Sequence, residues 1–169
     1  GVICINDEIY SRTTGNPDHA FAFKMVLSDQ IAEAKVLDVI WTPSKDAYLK
    51  PRIRIEPIFI GGAEITYATA FNGAFVRDNK IGIGAVIQLV RSGDVIPHIM
   101  GVLTPASEAK MPPTDSSKWN STNVDIMLID AEDNEIVKEK NIIGFFTGMD
   151  VAGLSTGNVR RLMKGGFDT

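Results

Sequence analysis

The sequence is short of most residues that announce chemistry. Of 169 residues, one is cysteine, Cys4, and two are histidine, His19 and His98. One cysteine cannot close an internal disulfide or supply a four-cysteine zinc site. Two isolated histidines argue against a structural metal site, and neither is assigned a metal or proton-transfer role. The cysteine count suits a reducing compartment. No apolar run approaches the roughly 18 residues of a membrane span, so no membrane partner is expected. The first residues, Gly1-Val2-Ile3-Cys4-Ile5, carry no basic lead and no small-residue cleavage pattern. The expectation is a chain cut from something longer, not one opening on a signal peptide.

What is present is enough to fold. Hydrophobic residues make up 44% and charged residues 22%, the composition of one generous domain or two small ones. The net charge of -4 argues weakly against nucleic acid, but the average hides an asymmetry. Between Lys45 and Pro97 seven basic residues (Lys45, Lys50, Arg52, Arg54, Arg77, Lys80, Arg91) outnumber five acids. From Ala106 to Lys140 the balance is four basic against eight acidic. A basic middle and an acidic later stretch give the chain two electrostatic faces.

Short strands dominate the pattern. Residues 2–5 read as a strand and 12–18 as a loop. In 19–27, Phe21, Phe23 and Met25 alternate with Ala22, Lys24 and Val26, a strand with one face buried and Lys24 on the other. Cys4 is read as a buried small hydrophobe. Helix and strand compete over 30–41, where Val36, Val39, Ile40 and Trp41 favour strand. Over 50–60, Arg52, Arg54 and Glu56 alternate with Ile53, Ile55 and Pro57, a strand with a basic face that ends near Pro57. Gly61-Gly62 is a turn, 64–70 a possible strand, and 72–78 a short helix or turn. Strands follow over 85–90 and 95–102, joined by a hairpin at Gly93-Asp94. Five short strands with glycine turns over 31–103 predict a small antiparallel barrel, with Pro97 following the tight turn. Residues 104–121 read as a connector and 124–129 as a strand. A turn spans 130–134, with Glu135–Val137 beyond it. A new pattern starts at Ile142, and helical spacing runs through 148–165.

Three stretches together resemble bacterial-type NAD-dependent DNA ligases. Arg91-Ser92-Gly93-Asp94-Val95-Ile96-Pro97 is similar to the family's Arg-Ala-Gly-Asp-Val-Ile-Pro run, which lies in a barrel of the oligonucleotide-binding (OB) type. Ala68-Thr69-Ala70-Phe71-Asn72 resembles its Ala-Thr-Leu-His-Asn. Trp41 to Ile58 aligns without a gap, with Pro51, Arg54, Glu56 and Pro57 in register. Ala22-Phe23-Lys24 resembles the last nucleotide-binding motif of the adenylation domain. Met149-Asp150-Val151-Ala152-Gly153-Leu154 resembles the opening of the helix-hairpin-helix region. The resemblance covers most of 17–103 and about twenty residues near the C-terminus.

The departures are specific. Lys45 stands where the family has arginine, Ala47 closes its Gly-Arg-Thr-Gly turn, and Phe71 replaces its histidine. Ile5 takes a motif lysine position, Ser155 replaces the second glycine of Gly-Leu-Gly, and no four-cysteine module follows the barrel. The adenylated-lysine motif, Lys-x-Asp-Gly, does not occur in the chain. Such drift suggests a phage or other viral enzyme.

The resemblance implies a mainly β chain, an OB-fold antiparallel barrel flanked by the end of a nucleotidyltransferase domain and a partial helical tail. Residues 1–29 would end the adenylation domain, 30–105 form the OB-fold domain, 106–141 replace the zinc module as a linker, and 142–169 start the helix-hairpin-helix region. The implied reaction seals nicks in duplex DNA during replication or repair. AMP passes from NAD to an enzyme lysine, then to the nick 5′-phosphate, with Mg²⁺ supporting both steps. NAD and Mg²⁺ belong to the complete enzyme. This chain lacks the nucleophile and is expected to be inactive without an N-terminal adenylation-domain polypeptide, in the same or a separate chain. The location implied is the cytoplasm of a bacterium or infected host cell. The alternative is a non-catalytic OB-fold DNA-binding module or subunit.

Lys24 is the catalytic and cofactor-binding candidate, a cation for the nucleotide phosphate. Lys45, Lys50, Arg52, Arg54, Asn72, Arg91 and Gly93 are the DNA-binding candidates. Arg52 and Arg54 share a strand face and would track a phosphate backbone. Gly93 would let its hairpin approach phosphate, while Asp94 caps that turn. Asn72 either contacts DNA or serves a turn. Phe71, Phe75, Tyr67 and Tyr48 could stack on bases, but bases in a nicked duplex are already stacked, so these rings are expected to pack in the core. Gly148, Gly153 and Gly157 offer backbone N–H groups to phosphate or are ordinary turn glycines.

Overall fold

The computed structural model describes residues 2–12, 14–23, 31–91 and 97–167. Lys24, Gly93 and Asp94, and with them the hairpin expected before Pro97, lie outside the described residues.

The first two strands, β1 (Val2–Ile5) and β2 (Ala20–Phe23), form a two-stranded antiparallel sheet with Val2 opposite Phe23 and Ile5 opposite Ala20. The buried face expected here is absent. Phe21 and Phe23 are exposed and Cys4 is half-exposed. A lone pair of strands has no second layer to bury its apolar side against.

Five further strands close on themselves. They are β3 (Ile31–Pro43), β4 (Tyr48–Ile60), β5 (Ala63–Thr69), β6 (Val86–Val90) and β7 (His98–Thr104). The pairing runs β3–β6–β7–β5–β4 and returns from β4 to β3. Closure works because β3 serves two neighbours. Ile31–Lys35 pair with β6, while Val36–Pro43 pair with β4. An extra residue between Val36 and Asp38 bends the strand between these duties. All pairs are antiparallel except β5–β7, which meet in parallel at Thr69 and His98. The competition over 30–41 thus resolves to strand, as β-branching favoured.

Alternation sets the core. Along β4, Leu49, Pro51, Ile53 and Ile55 point inward while Lys50, Arg52, Arg54 and Glu56 are exposed. Ile53 and Ile55 meet Val36, Val76, Ile81, Ile87, Leu89 and Ile99 in one cluster, each at most 1% exposed. β4 does not end near Pro57. Its register to β5 jumps from Arg54↔Tyr67 to Ile58↔Ile65, so the intervening residues need no ladder bond on that side. Proline, which has no N–H to give, fits that irregularity. Gly61 and Gly62, at φ 55 and 75, then make a two-residue hairpin, since a turn matched to strand twist needs left-handed residues at both positions.

Helix α1 (Gly73–Asp78) follows β5, and Asn72 Oδ1 accepts its Phe75 N–H at 2.8 Å. The stretch after β7 is not a plain connector. Residues 105–112 strap across the barrel. Ala106 N donates to Lys80 O and Lys110 N to Ile81 O, both at 3.0 Å. Trp41 Nε1 donates to Lys110 O at 3.0 Å. A hairpin of β8 (Ser117–Trp119) and β9 (Ile126–Leu128) then adds to β4, with Tyr48 opposite Met127 and Leu49 opposite Ile126. Ile126 is buried, and Trp119 stacks under the Arg77 guanidinium at 4.6 Å. β9 falls within the strand expected over 124–129, whereas β8 lies in the stretch expected to be a connector and is a strand because it pairs with β9.

The tail holds α2 (Glu135–Gly148) and α3 (Thr156–Lys164). The helical spacing expected over 148–165 falls in α3, but α2 begins much earlier. Asn134 Oδ1 accepts from Ile136 N and Val137 N at 3.0 and 3.2 Å, and Glu135 complements the helix dipole. Ile142-Ile143-Gly144 is poor helix sequence and masked the run. Val137 of α2 and Val159 of α3 are buried, and an Arg160–Glu139 pair at 2.7 Å joins the two helices. Lys140 Nζ ties α2 to Pro43 O at 2.5 Å.

Candidate nucleic-acid interface

The outer face of β4 carries Lys50, Arg52 and Arg54 in a row, because side chains two apart on a strand share a face. Register supplies the flanks. On one side Arg54 faces Asp38, Arg52 faces Ile40 and Lys50 faces Thr42. On the other side Arg54 faces Tyr67 and Arg52 faces Thr69. The Arg52 guanidinium lies over the Tyr67 ring, 3.9 Å from its centroid. Stacked there, the guanidinium loses freedom before any ligand arrives, and its N–H edges stay available for phosphate.

Lys50 sits 5.4 Å over the Tyr48 ring and 3.2 Å from Asp125 Oδ1. Both groups are partly exposed, so the pair is weak and yields to a phosphate at little cost. Asp38 is the acid nearest Arg54 in register, but Lys110 holds it with a short hydrogen bond. That bond, aided by the Val39 N–H and the Lys110 and Arg54 charges, keeps the Asp38 pKa below the ordinary carboxylate value despite partial desolvation. Because the folded pKa is lowered, the stabilisation is present above the unfolded value of about 3.9 and is lost as pH falls through the folded pKa. In thermal melts across pH, Lys110→Met is expected to lower Tm above about pH 4 and to converge with the parent below that. Parallel curves at every pH would contradict the pairing.

The other candidates do not all join this row. Lys45 lies in the β3–β4 turn, 2.9 Å from Asp46 Oδ1 and beside Gly144 of α2. The turn is closed by Ser44 N to Tyr48 O at 2.7 Å and Tyr48 N to Ser44 Oγ at 3.1 Å. Ala47 sits there at φ 64, a left-handed conformation that costs an L-residue about 1 kcal/mol. Asn72 spends its side-chain oxygen on the α1 cap. Arg91 Nη1 reaches Ile60 O and Gly61 O at 3.4 and 3.1 Å, fastening the β4–β5 hairpin. Gly148 and Gly157 have ordinary backbone. Gly153, at φ 83, makes the α2–α3 turn, with its carbonyl accepting from Asn158 Nδ2 at 2.6 Å.

Two contributors escaped the sequence reading. Tyr67 is half-buried as the platform for Arg52, not a core residue. Lys118 of β8 lies in register with Met127, which faces Tyr48, so it extends the same outer face. A lysine in a polar segment gave no signal of a strand partner. Phe71 is also not core, being 60% exposed. Among the described residues no group of three His, Cys, Asp or Glu side chains gathers to hold a metal. Lys24, the residue proposed for the nucleotide phosphate, lies outside the described residues.

A closed five-stranded barrel with its helix between the third and fourth strands and a basic outer face is an OB fold, the architecture expected from the sequence. Comparison narrows the class. Residues 33–111 match the family described as the NAD-dependent DNA ligase OB-fold domain. The chain is 39% identical over 168 residues to a DNA ligase of Acanthamoeba polyphaga mimivirus, covering 99% of this chain and 26% of that protein. It is 37% identical over 154 residues to the 052L protein of Invertebrate iridescent virus 3, covering 91% of this chain and 20% of that one. With a DNA ligase of Persephonella marina it shares 26% over 187 residues, covering 98% and 25%. The chain spans about a quarter of the length of these relatives.

Proposed function

We propose that this chain is the DNA-clamping portion of an NAD-dependent DNA ligase, its β4 face gripping the phosphates of nicked duplex DNA. The observation that carries the reading is the basic row on a barrel whose residues 33–111 match the DNA-ligase OB-fold family. Phosphate contacts position a protein without reading sequence, which suits an enzyme that must accept any nick. Two viral relatives with higher identities than the bacterial one support a viral-type enzyme. The site of action would then be the cytoplasm of an infected cell.

On this reading the chemistry needs an adenylation-domain polypeptide, since the chain holds no Lys-x-Asp-Gly. Lys24 would place its ammonium against the nucleotide phosphate, where negative charge develops during transfer. NAD, as the source of AMP, and Mg²⁺ belong to the complete enzyme. The second reading, a binding module without chemistry, draws on Ile5. It stands at a motif lysine position and is 56% exposed on β1.

The test joins the chain to the adenylation polypeptide and measures enzyme–AMP formation and, separately, sealing of a pre-adenylated nick. Lys24→Ala is expected to slow both by about 100-fold, roughly 3 kcal/mol of barrier, while DNA affinity stays close to the parent. Equal rates would remove Lys24 from the machinery. An inactive parent pair that still binds DNA would favour the module.

A further inference from the structure

Beside the basic row stands an apolar ring that the barrel core does not use. Phe71 follows β5. In the run Ala68, Thr69, Ala70, Phe71, the two alanines are buried while Thr69 and Phe71 are exposed. Phe71 therefore continues the outward set of Tyr67 and Thr69. Ala70 N donates to Pro51 O at 3.3 Å, so the chain still runs along β4 at this point. Thr69 faces Arg52, and two further residues of antiparallel register bring Phe71 level with Lys50.

The ring is held where it is. It meets Phe75 edge to face, with centroids 4.9 Å apart and planes at 82°. The next residue, Asn72, is fixed by its bond to Phe75 N at 2.8 Å. Water thus faces a phenyl group braced by Phe75 and level with Lys50.

We infer that Phe71 is an apolar DNA contact, packing against deoxyribose and base edges of a duplex whose phosphates lie along Lys50, Arg52 and Arg54. The inference rests on the DNA-clamping reading of β4 and adds a different kind of interaction to it. The cations supply attraction that salt weakens by restoring counterions. A phenyl group covers sugar and base surface, and burial of that surface does not depend on counterions. Together they hold the duplex by one charged line and one apolar point, which fixes its rotation as well as its distance.

The experiment uses the full chain and a fluorescein-labelled nicked duplex, with anisotropy titrations between about 50 and 200 mM salt. Phe71→Ala is expected to weaken binding by about tenfold at every salt concentration, leaving the slope of log affinity against log salt unchanged. Phe71→Leu, which keeps an apolar group, should recover most of the loss. Thermal melts of both variants should match the parent, because the ring is mainly exposed. Parent-like affinity in Phe71→Ala, with binding still lost when Arg52 and Arg54 are removed, overturns the Phe71 contact and leaves the basic row standing. Parent-like affinity in both overturns the clamping reading as well. A changed salt slope in Phe71→Ala, or equal losses for Ala and Leu, would mean that the ring acts through neighbouring charges and not as an apolar contact.

Discussion

Removing both Arg52 and Arg54, as the double alanine variant, will weaken binding to nicked duplex DNA by about tenfold or more at low salt. The loss should be uniform across DNA sequences, because phosphate contacts carry no base information. The slope of log affinity against log salt should become shallower by up to about 1.8, since each phosphate contact on a duplex contributes roughly 0.9. Both side chains are exposed, so the fold should survive. Arg52 is expected to matter more than Arg54. Its guanidinium is already ordered on Tyr67, whereas Arg54 shares its surroundings with Asp38. An unchanged slope in the double variant would reduce the row to an ordinary solvated face.

Gly82→Ala is expected to cost about 2–4 kcal/mol of stability, lowering Tm by roughly 5–15 °C. A Cβ at Gly82 would lie 2.2 Å from the Glu108 carbonyl oxygen, a backbone atom that cannot swing aside. Relief requires moving the strap, and the strap is pinned on both sides of Glu108 by its bonds to Lys80 and Ile81. Calorimetry against Gly101→Ala makes the comparison clean, because nothing lies within 4 Å of a Cβ placed there. A Gly82→Ala melt that overlays the parent would show that the strap is not seated as described.

How far the sequence spoke depended on the range of the interactions. Residues 50–56 announced their strand, its buried side and its basic side, because alternation is local and one face had to enter a core. Gly61-Gly62 announced its turn for the same reason. Asn72 was ambiguous until α1 formed after it, and the cap then took its oxygen. Of the β8–β9 hairpin, β9 fell in the strand read over 124–129, while β8 was hidden in the connector because its partner β9 is itself anchored by Tyr48 and Leu49, some 80 residues away. Helix α2 was hidden by Ile142 and Ile143, whose β-branching speaks against a helix that Asn134 starts and packing against α3 completes. On the candidate site, the cations were readable from charge and face. Tyr67 beneath Arg52 was not, because that contact depends on which strand lies beside β4. Phe71 was assigned to the core because bases in a nicked duplex are already stacked, and its exposure reflects the outward side it shares with Thr69.

Among the described residues, the single parallel pairing between β5 and β7 has a kinetic meaning. Every other seam of the barrel is a multi-residue antiparallel ladder, mostly between strands near in sequence. This one rests on Thr69 opposite His98, with Thr69 N reaching Pro97 O at 3.3 Å. Joining it requires β6 to have docked first, and little is gained until the whole ring shuts. Closure is therefore expected to be the late event of folding, and hydrogen exchange is expected to be fastest for the barrel amides along this seam.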